Sequence, residues 1–155
     1  MDFIETHGAE LLRTYHQQTG GQLIESCGHA QRDARMLFEA PFAVVSGGAE
    51  GDQILNYGNK TAMDLWEMDW DTLTRTPSRL TAEPMHRDER AEFLRRVRER
   101  GFIDDYSGIR ISSKGRRFRI GQATVWNVTD AHGNYAGQAA TFSKWEFLSK
   151  EEANS

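Results

Sequence analysis

Residues 101–148, GFIDDYSGIRISSKGRRFRIGQATVWNVTDAHGNYAGQAATFSKWEFL, read as three long antiparallel strands. Runs rich in Ile, Val, Thr, Tyr, Phe and Trp suit a pleated, half-buried surface, and turn-forming residues punctuate them. Ser112-Ser113-Lys114-Gly115 makes the first turn, with Gly115 free to take a positive φ, and Asp130-Ala131-His132-Gly133-Asn134 makes the second.

Side-chain direction reverses at every residue of a strand, so the middle one sorts into two faces. Phe118, Ile120, Gln122, Thr124, Trp126 and Val128 fall on one face; Arg117, Arg119, Gly121, Ala123, Val125 and Asn127 fall on the other. Pairing Val128 with Tyr135 sets Trp126 against Gly137, Phe118 against Trp145 and Gly121 against Phe142, bulky residues meeting small ones. One residue of slip would exchange the faces.

Working outward, residues 9–18 carry Leu11, Leu12 and Tyr15 on one side of a helix that Gly20-Gly21 ends. A second helix spans residues 30–39, stopped by Pro41. Residues 42–46 and 53–57 form a hairpin. Asn59 caps a helix that buries Ala62, Leu65 and Trp66, and Asp69 caps a short turn through Leu73. Residues 87–100 form a longer helix with Phe93, Leu94 and Val97 inward and its charges in water. The order of elements predicts an α+β domain: a five-stranded antiparallel sheet with helices on one face, burying the Phe118/Trp126 side, and N-terminal helices preceding it. The organisation is a helical extension at 1–41, a core at 42–148 and a disordered tail at 149–155.

The chain of 155 residues, 38% of them hydrophobic, suits a single soluble domain. No apolar run approaches the ~20 residues of a membrane helix, and the start lacks the pattern of a secretory signal, so a cytoplasmic location is expected. The Asn-X-Thr sequons at Asn59 and Asn127 then carry no meaning. One cysteine, Cys27, makes neither an internal disulfide nor a thiol-clustered metal site. The net charge of −4 argues against a general nucleic-acid binder. The local exception is the run from Arg110 to Arg119, five basic residues with no acid, which could meet phosphates or simply protect an exposed hairpin from aggregation.

Several stretches resemble a known family. A strand pair, an Asn-capped helix at Asn59-Lys60-Thr61-Ala62, His86-Arg87-Asp88 opening a helix and a three-stranded meander resemble the PAS layout over residues 42–145. The chain more closely resembles the MEKHLA family, a PAS-related domain, through Leu11-Leu12-Arg13-Thr14-Tyr15, Phe38-Glu39-Ala40-Pro41-Phe42, Asn56-Tyr57-Gly58-Asn59 and Pro77-Ser78-Arg79-Leu80. Ser107-Gly108-Ile109-Arg110-Ile111-Ser112-Ser113, Gln122-Ala123-Thr124-Val125-Trp126-Asn127 and Trp145-Glu146-Phe147-Leu148 extend the likeness across nearly the whole chain. It looks like a stand-alone, bacterial-type member, without the DNA-binding and zipper segments of the plant class III homeodomain leucine-zipper proteins, so their transcriptional function does not carry over. The resemblance implies a PAS-like sensory fold and names no ligand.

That fold makes one sheet face the wall of a ligand cavity. Gln122, Thr124 and Trp126, with Trp66 opposite, are the expected lining, an apolar pocket with a few polar groups; a plain core in which Gln122 meets Thr141 is the alternative. The other face leaves Ala123, Val125, Ala140 and Phe142 as an apolar patch, to be covered by the leading helix or by a second copy in a homodimer. No metal is expected, because His86 lacks a spaced ligand set. Haem and flavin are disfavoured: no haem motif surrounds His86 and no flavin-type cysteine motif occurs. The expectation is a non-catalytic sensory domain binding a small molecule or protein partner. The alternatives are an enzyme on a cone-like α+β fold, which the absence of His, Asp or Glu on the inward strand face disfavours, and nucleic-acid binding through residues 110–119.

Overall fold

The computed structural model describes residues 2–149, without the side chains of residues 84–86, so the His86 side chain and the tail beyond Ser149 lie outside the described residues. Helices α1 (Phe3–Thr19) and α2 (Ala30–Phe38) lead into strands β1 (Ala43–Gly47) and β2 (Leu55–Gly58). Then come α3 (Lys60–Trp66), the single turn α4 (Trp70–Leu73), a 3₁₀ turn at Ser78–Thr81 and α5 (Pro84–Arg100). Strands β3 (Phe102–Ile111), β4 (Arg117–Thr129), β5 (Tyr135–Phe142) and β6 (Lys144–Phe147) complete the chain. The sheet is antiparallel in the order β2-β1-β5-β4-β3, with β6 also beside β4. The α+β class is as expected, with one strand more.

Local chemistry places the helices. Asp2 accepts from the Glu5 amide at 2.8 Å to start α1, and Gly20, at φ 78°, ends it. Asn59 and Asp69 cap α3 and α4. Helix α5 starts three residues earlier than the apolar spacing suggests, because Pro84 sits in its first turn, where a missing N–H costs nothing.

The strand register departs from expectation in an instructive way. Beyond a bulge at Val128/Thr129, Val128 opposes Gly137 and Trp126 opposes Ala139, two residues away from the anticipated pairing. Strand β5 stops before Ser143, and β6 continues along β4, with Phe118 against Phe147 and Gly121 against Lys144. A slip of two preserves faces; the change of face comes from Gln122, whose φ is 51°. That left-handed residue interrupts the alternation. Phe118 and Ile120 share a face with Ala123 and Val125, whereas Trp126 and Val128 belong to the other.

Helices accordingly cover both faces. On one, Ala62, Leu65 and Trp66 of α3 and Phe93 and Val97 of α5 pack over Phe118, Ile120, Val125 and Phe142. On the other, Leu11 of α1 and Leu37 of α2 lie against Val44, Trp126, Val128 and Ala139. The Trp126 indole N–H donates to Thr14 at 3.0 Å, and Arg13 donates to the Thr129 carbonyl at 2.7 Å. The two helices approach closely because Gly8 has no side chain: a Cβ there would stand 3.0 Å from that of Ala34.

The joint between the leading helices and the sheet is Asn59, fully buried. Its Oδ1 accepts from the amides of Val44 (3.0 Å) and Ala62 (3.1 Å), while its Nδ2 donates to the carbonyls of Leu37 (3.1 Å) and Phe42 (2.8 Å). Asn59→Asp turns two donors into an acceptor facing two carbonyls, and we expect chemical denaturation to show a loss of about 3 kcal/mol or more.

His7 of α1 is also buried; its Nε2 lies 2.9 Å from Ser46 Oγ and its ring stacks on Phe3. Burial lowers its pKa from 6.5 to about 4, so the folded protein holds the ring neutral where the unfolded chain binds a proton. Its contribution is complete above about pH 6.5 and is lost as pH falls towards 4. The loss amounts to about 3 kcal/mol at most. Denaturation midpoints across that window should fall with acid in the wild type and flatten in His7→Gln.

Candidate functional site

Between the sheet and α3/α5 the packing leaves a cavity of about 80 Å³. Its apolar wall comes from Trp66 of α3, Phe93 of α5, Ile120 and Val125 of β4, and Ala140 and Phe142 of β5. Its polar wall has Ser78 and Thr81 from the 3₁₀ turn, Arg90 from α5, Tyr106 and Arg110 from β3, and Gln138 from β5. Gln53, Ser78, Arg90, Leu94 and Gln138 also line an outer cleft of about 410 Å³ beneath the Gly48–Asp52 loop. These five residues form the partition between cavity and surface.

The polar wall is organised by hydrogen bonds. Arg90 Nη2 donates to Ser78 Oγ at 2.5 Å, and Ser78 Oγ donates to Gln53 Oε1 at 2.9 Å. Arg110 Nη2 donates to Tyr106 Oη at 2.7 Å and its Nη1 to the Ile109 carbonyl at 2.9 Å. Tyr106 also lies against Phe93, ring centroids 4.0 Å apart. Gly108, between Tyr106 and Arg110 on β3, leaves them room to meet: a Cβ there would be 2.5 Å from Tyr106 Oη and 3.1 Å from Arg110 Nη1. Gln138 donates to the Leu94 carbonyl at 2.8 Å. Burial, together with the neighbouring charge of Arg110, lowers the pKa of Arg90 to about 10.

Of the four residues expected to line the cavity, Trp66 does. The other three do not. Trp126 is buried under α1, and Thr124 is half-buried in a shallow surface depression beside Tyr15 and Phe42. Gln122 is exposed, accepting from Lys144 Nζ at 2.7 Å. The patch expected on the outer face, Ala123, Val125, Ala140 and Phe142, lies on the cavity side, and all four line the cavity. The positive φ of Gln122 is the reason for both reversals. Helix α1 covers the opposite face, over Trp126 and Val128, and the expected patch lies instead beneath α3 and α5.

Sequence reasoning missed the polar wall. Arg90 precedes Phe93, Leu94 and Val97 by three, four and seven residues, so it sits on the inward stripe of α5. Tyr106, Gly108 and Arg110 share one parity of β3, a signal masked by counting Arg110 among surface charges. The basic run disperses in the fold: Arg110 is buried, Arg117 pairs with the buried Glu83, and Arg116 stacks over Phe147. Cys27 is exposed, on the connection between α1 and α2. Among the described residues no cluster of His, Cys, Asp and Glu could hold a metal, and no helix is long and apolar enough to cross a membrane.

This arrangement, an antiparallel sheet with a cavity under its helices, is a PAS-like fold. Solved structures agree: the PAS domain of a protein from Colwellia psychrerythraea matches with a TM-score of 0.62 at 14% identity, covering 77% of this chain and 97% of that one. A light-oxygen-voltage domain studied with a flavin analogue matches at 0.55 and 18% identity, covering 78% and 87%. An RNA-binding light-oxygen-voltage receptor matches at 0.59 and 14%, covering 86% and 38%. The chain belongs to the MEKHLA domain family, whose model matches residues 5–147. Among curated proteins it is 25% identical over 138 residues to the homeobox-leucine zipper protein HOX10 of Oryza sativa, covering 88% of this chain and 16% of that protein. It is 24% identical over 144 residues to ATHB-9 of Arabidopsis thaliana, covering 89% and 17%. The chain thus spans about a sixth of the length of these plant relatives.

A flavin does not fit the cavity. A void of about 150 Å³ is filled by one benzene. The space here is about half that, and no cysteine lines it.

If Gln122 sets the faces of β4 through its backbone, glycine should serve better there. Gln122→Gly is expected to raise stability by about 1 kcal/mol in denaturant titration, and Gln122→Val to lower it by at least as much.

Proposed function

We propose that this chain is a non-catalytic sensory domain that binds a small molecule in the cavity between its sheet and α3/α5. The cavity itself supports this reading: a core that served stability alone would close it, since interiors pack to crystal-like density. It also adjoins a surface cleft across a partition of side chains, which gives a ligand a short route in. Among the described residues its lining includes no His, Cys, Asp or Glu, so the general acids and bases most used in catalysis are missing from the place where a substrate would sit. Self-association through the sheet is not part of this reading, because α1 occupies the outer face and the expected patch lies inside.

The reading is tested by purifying the protein without denaturant and analysing by mass spectrometry the small molecules released on unfolding. A stoichiometric compound is expected from the wild type. Ala140→Leu, which fills the cavity, should release less than a tenth as much while melting at or above the wild-type temperature. Equal release from both proteins, or none from the wild type, would overturn it.

A further inference from the structure

Two arginines line one small cavity, and among the described residues neither forms an ion pair with a carboxylate; Asp52, bound to Arg79, supplies Arg90 with partial charge compensation only. Arg110 is 8% exposed, and its guanidinium partners are the neutral Tyr106 hydroxyl and a carbonyl. Arg90 bonds the neutral Ser78 hydroxyl. Among the described residues, the ion pairs leave both out: Asp52 pairs with Arg79, Glu83 with Arg117, and Glu67 accepts from Ser112. Like charges placed together in a low dielectric repel, and a buried cation without a counter-ion costs several kcal/mol. The chain retains Arg110 buried, with Arg90 half-buried beside it. The Trp66 indole N–H adds another buried donor, without a partner among the described residues.

The geometry points to a resident anion as the missing counter-charge, and we infer that the ligand of this cavity is a short-chain carboxylate. Its head group lies between Arg90 and Arg110, and its tail lies against Trp66, Ile120, Val125 and Phe142. The inference rests on the ligand-binding reading above and assigns that ligand a chemical class. A guanidinium offers a planar pair of donors that matches a carboxylate. The apolar wall favours an acid with a hydrocarbon tail over inorganic phosphate, all of whose oxygens need partners. The volume limits the tail to one or two carbons, since the cavity is about half the size that holds benzene. Gln53, Ser78 and Arg90, in the partition, hold one edge of the head-group site and face the outer cleft.

The test uses protein refolded after unfolding has released whatever it held, with calorimetric titration and melting curves in acetate, propionate, butyrate, the neutral propionamide and inorganic phosphate. We expect binding of acetate or propionate, weaker binding of butyrate, which has as many heavy atoms as benzene, at least tenfold weaker binding of propionamide than of propionate, and no shift with phosphate. Arg110→Met and Arg90→Met each remove a charge that has no ion-pair partner, so the ligand-free variants should melt at or above the wild type while carboxylate affinity falls tenfold or more. Arg110→Lys should recover part of it. Equal binding of propionamide, preference for phosphate, or unchanged carboxylate affinity in both Met variants would overturn the inference. Release of a neutral molecule from the native wild type would also overturn it while leaving the ligand-binding reading intact; release of nothing would end both.

Discussion

The structure depends on one side chain, the carboxamide of Asn59, that satisfies four backbone groups from three different elements. Two of its partners, the carbonyls of Leu37 and Phe42, flank the passage from α2 into β1; the other two are the Val44 amide on β1 and the Ala62 amide opening α3. All lie inside, where water cannot substitute. Asparagine has the right inventory of two donors and a two-lone-pair acceptor, and a carboxylate or hydroxyl does not. The position of α3, and with it Trp66 on the cavity wall, follows from this joint.

Strand β4 carries the second constraint, because it serves two cores at once. Its first half faces α3 and α5, and its second half sends Trp126 and Val128 towards α1. A regular strand also has two faces, but Gln122 lets residues on both sides of the kink, Ile120 and Val125, reach one cavity. The partner strand is interrupted opposite, between Phe142 and Lys144, so the ladder bends in both strands at one level.

How much of this the sequence disclosed depends on the range of the interaction. Caps at Asn59 and Asp69, the turn at Gly115 and the order of elements are local events, and the residues announce them. The α+β class and the family resemblance follow from that order. The cavity lining was not legible beyond Trp66, because a single positive φ at a residue other than glycine inverts the parity of everything after it, and glutamine gives no warning. Arg90 and Arg110 were readable only against expectation. Each occupies an inward position by period, but charge count alone assigns arginine to water. Two stretches that carry the family likeness, Pro77–Leu80 and Ser107–Ser113, deliver Ser78 and Arg110 to the same wall, which sequence separation hides.

The seat of α1 has a consequence for the order in which the molecule is assembled. The helix rests on β4 and β5, and the bond from Trp126 to Thr14 spans 112 positions of chain. A 17-residue amphipathic helix has little stability until it is docked. During synthesis this segment leaves the ribosome before the strands it rests on, and its platform exists only once the β4–β5 hairpin has closed. Helix α1 is therefore made before its platform and settles after it, and until β4 and β5 have been synthesised Leu11, Leu12 and Tyr15 remain available to chaperones.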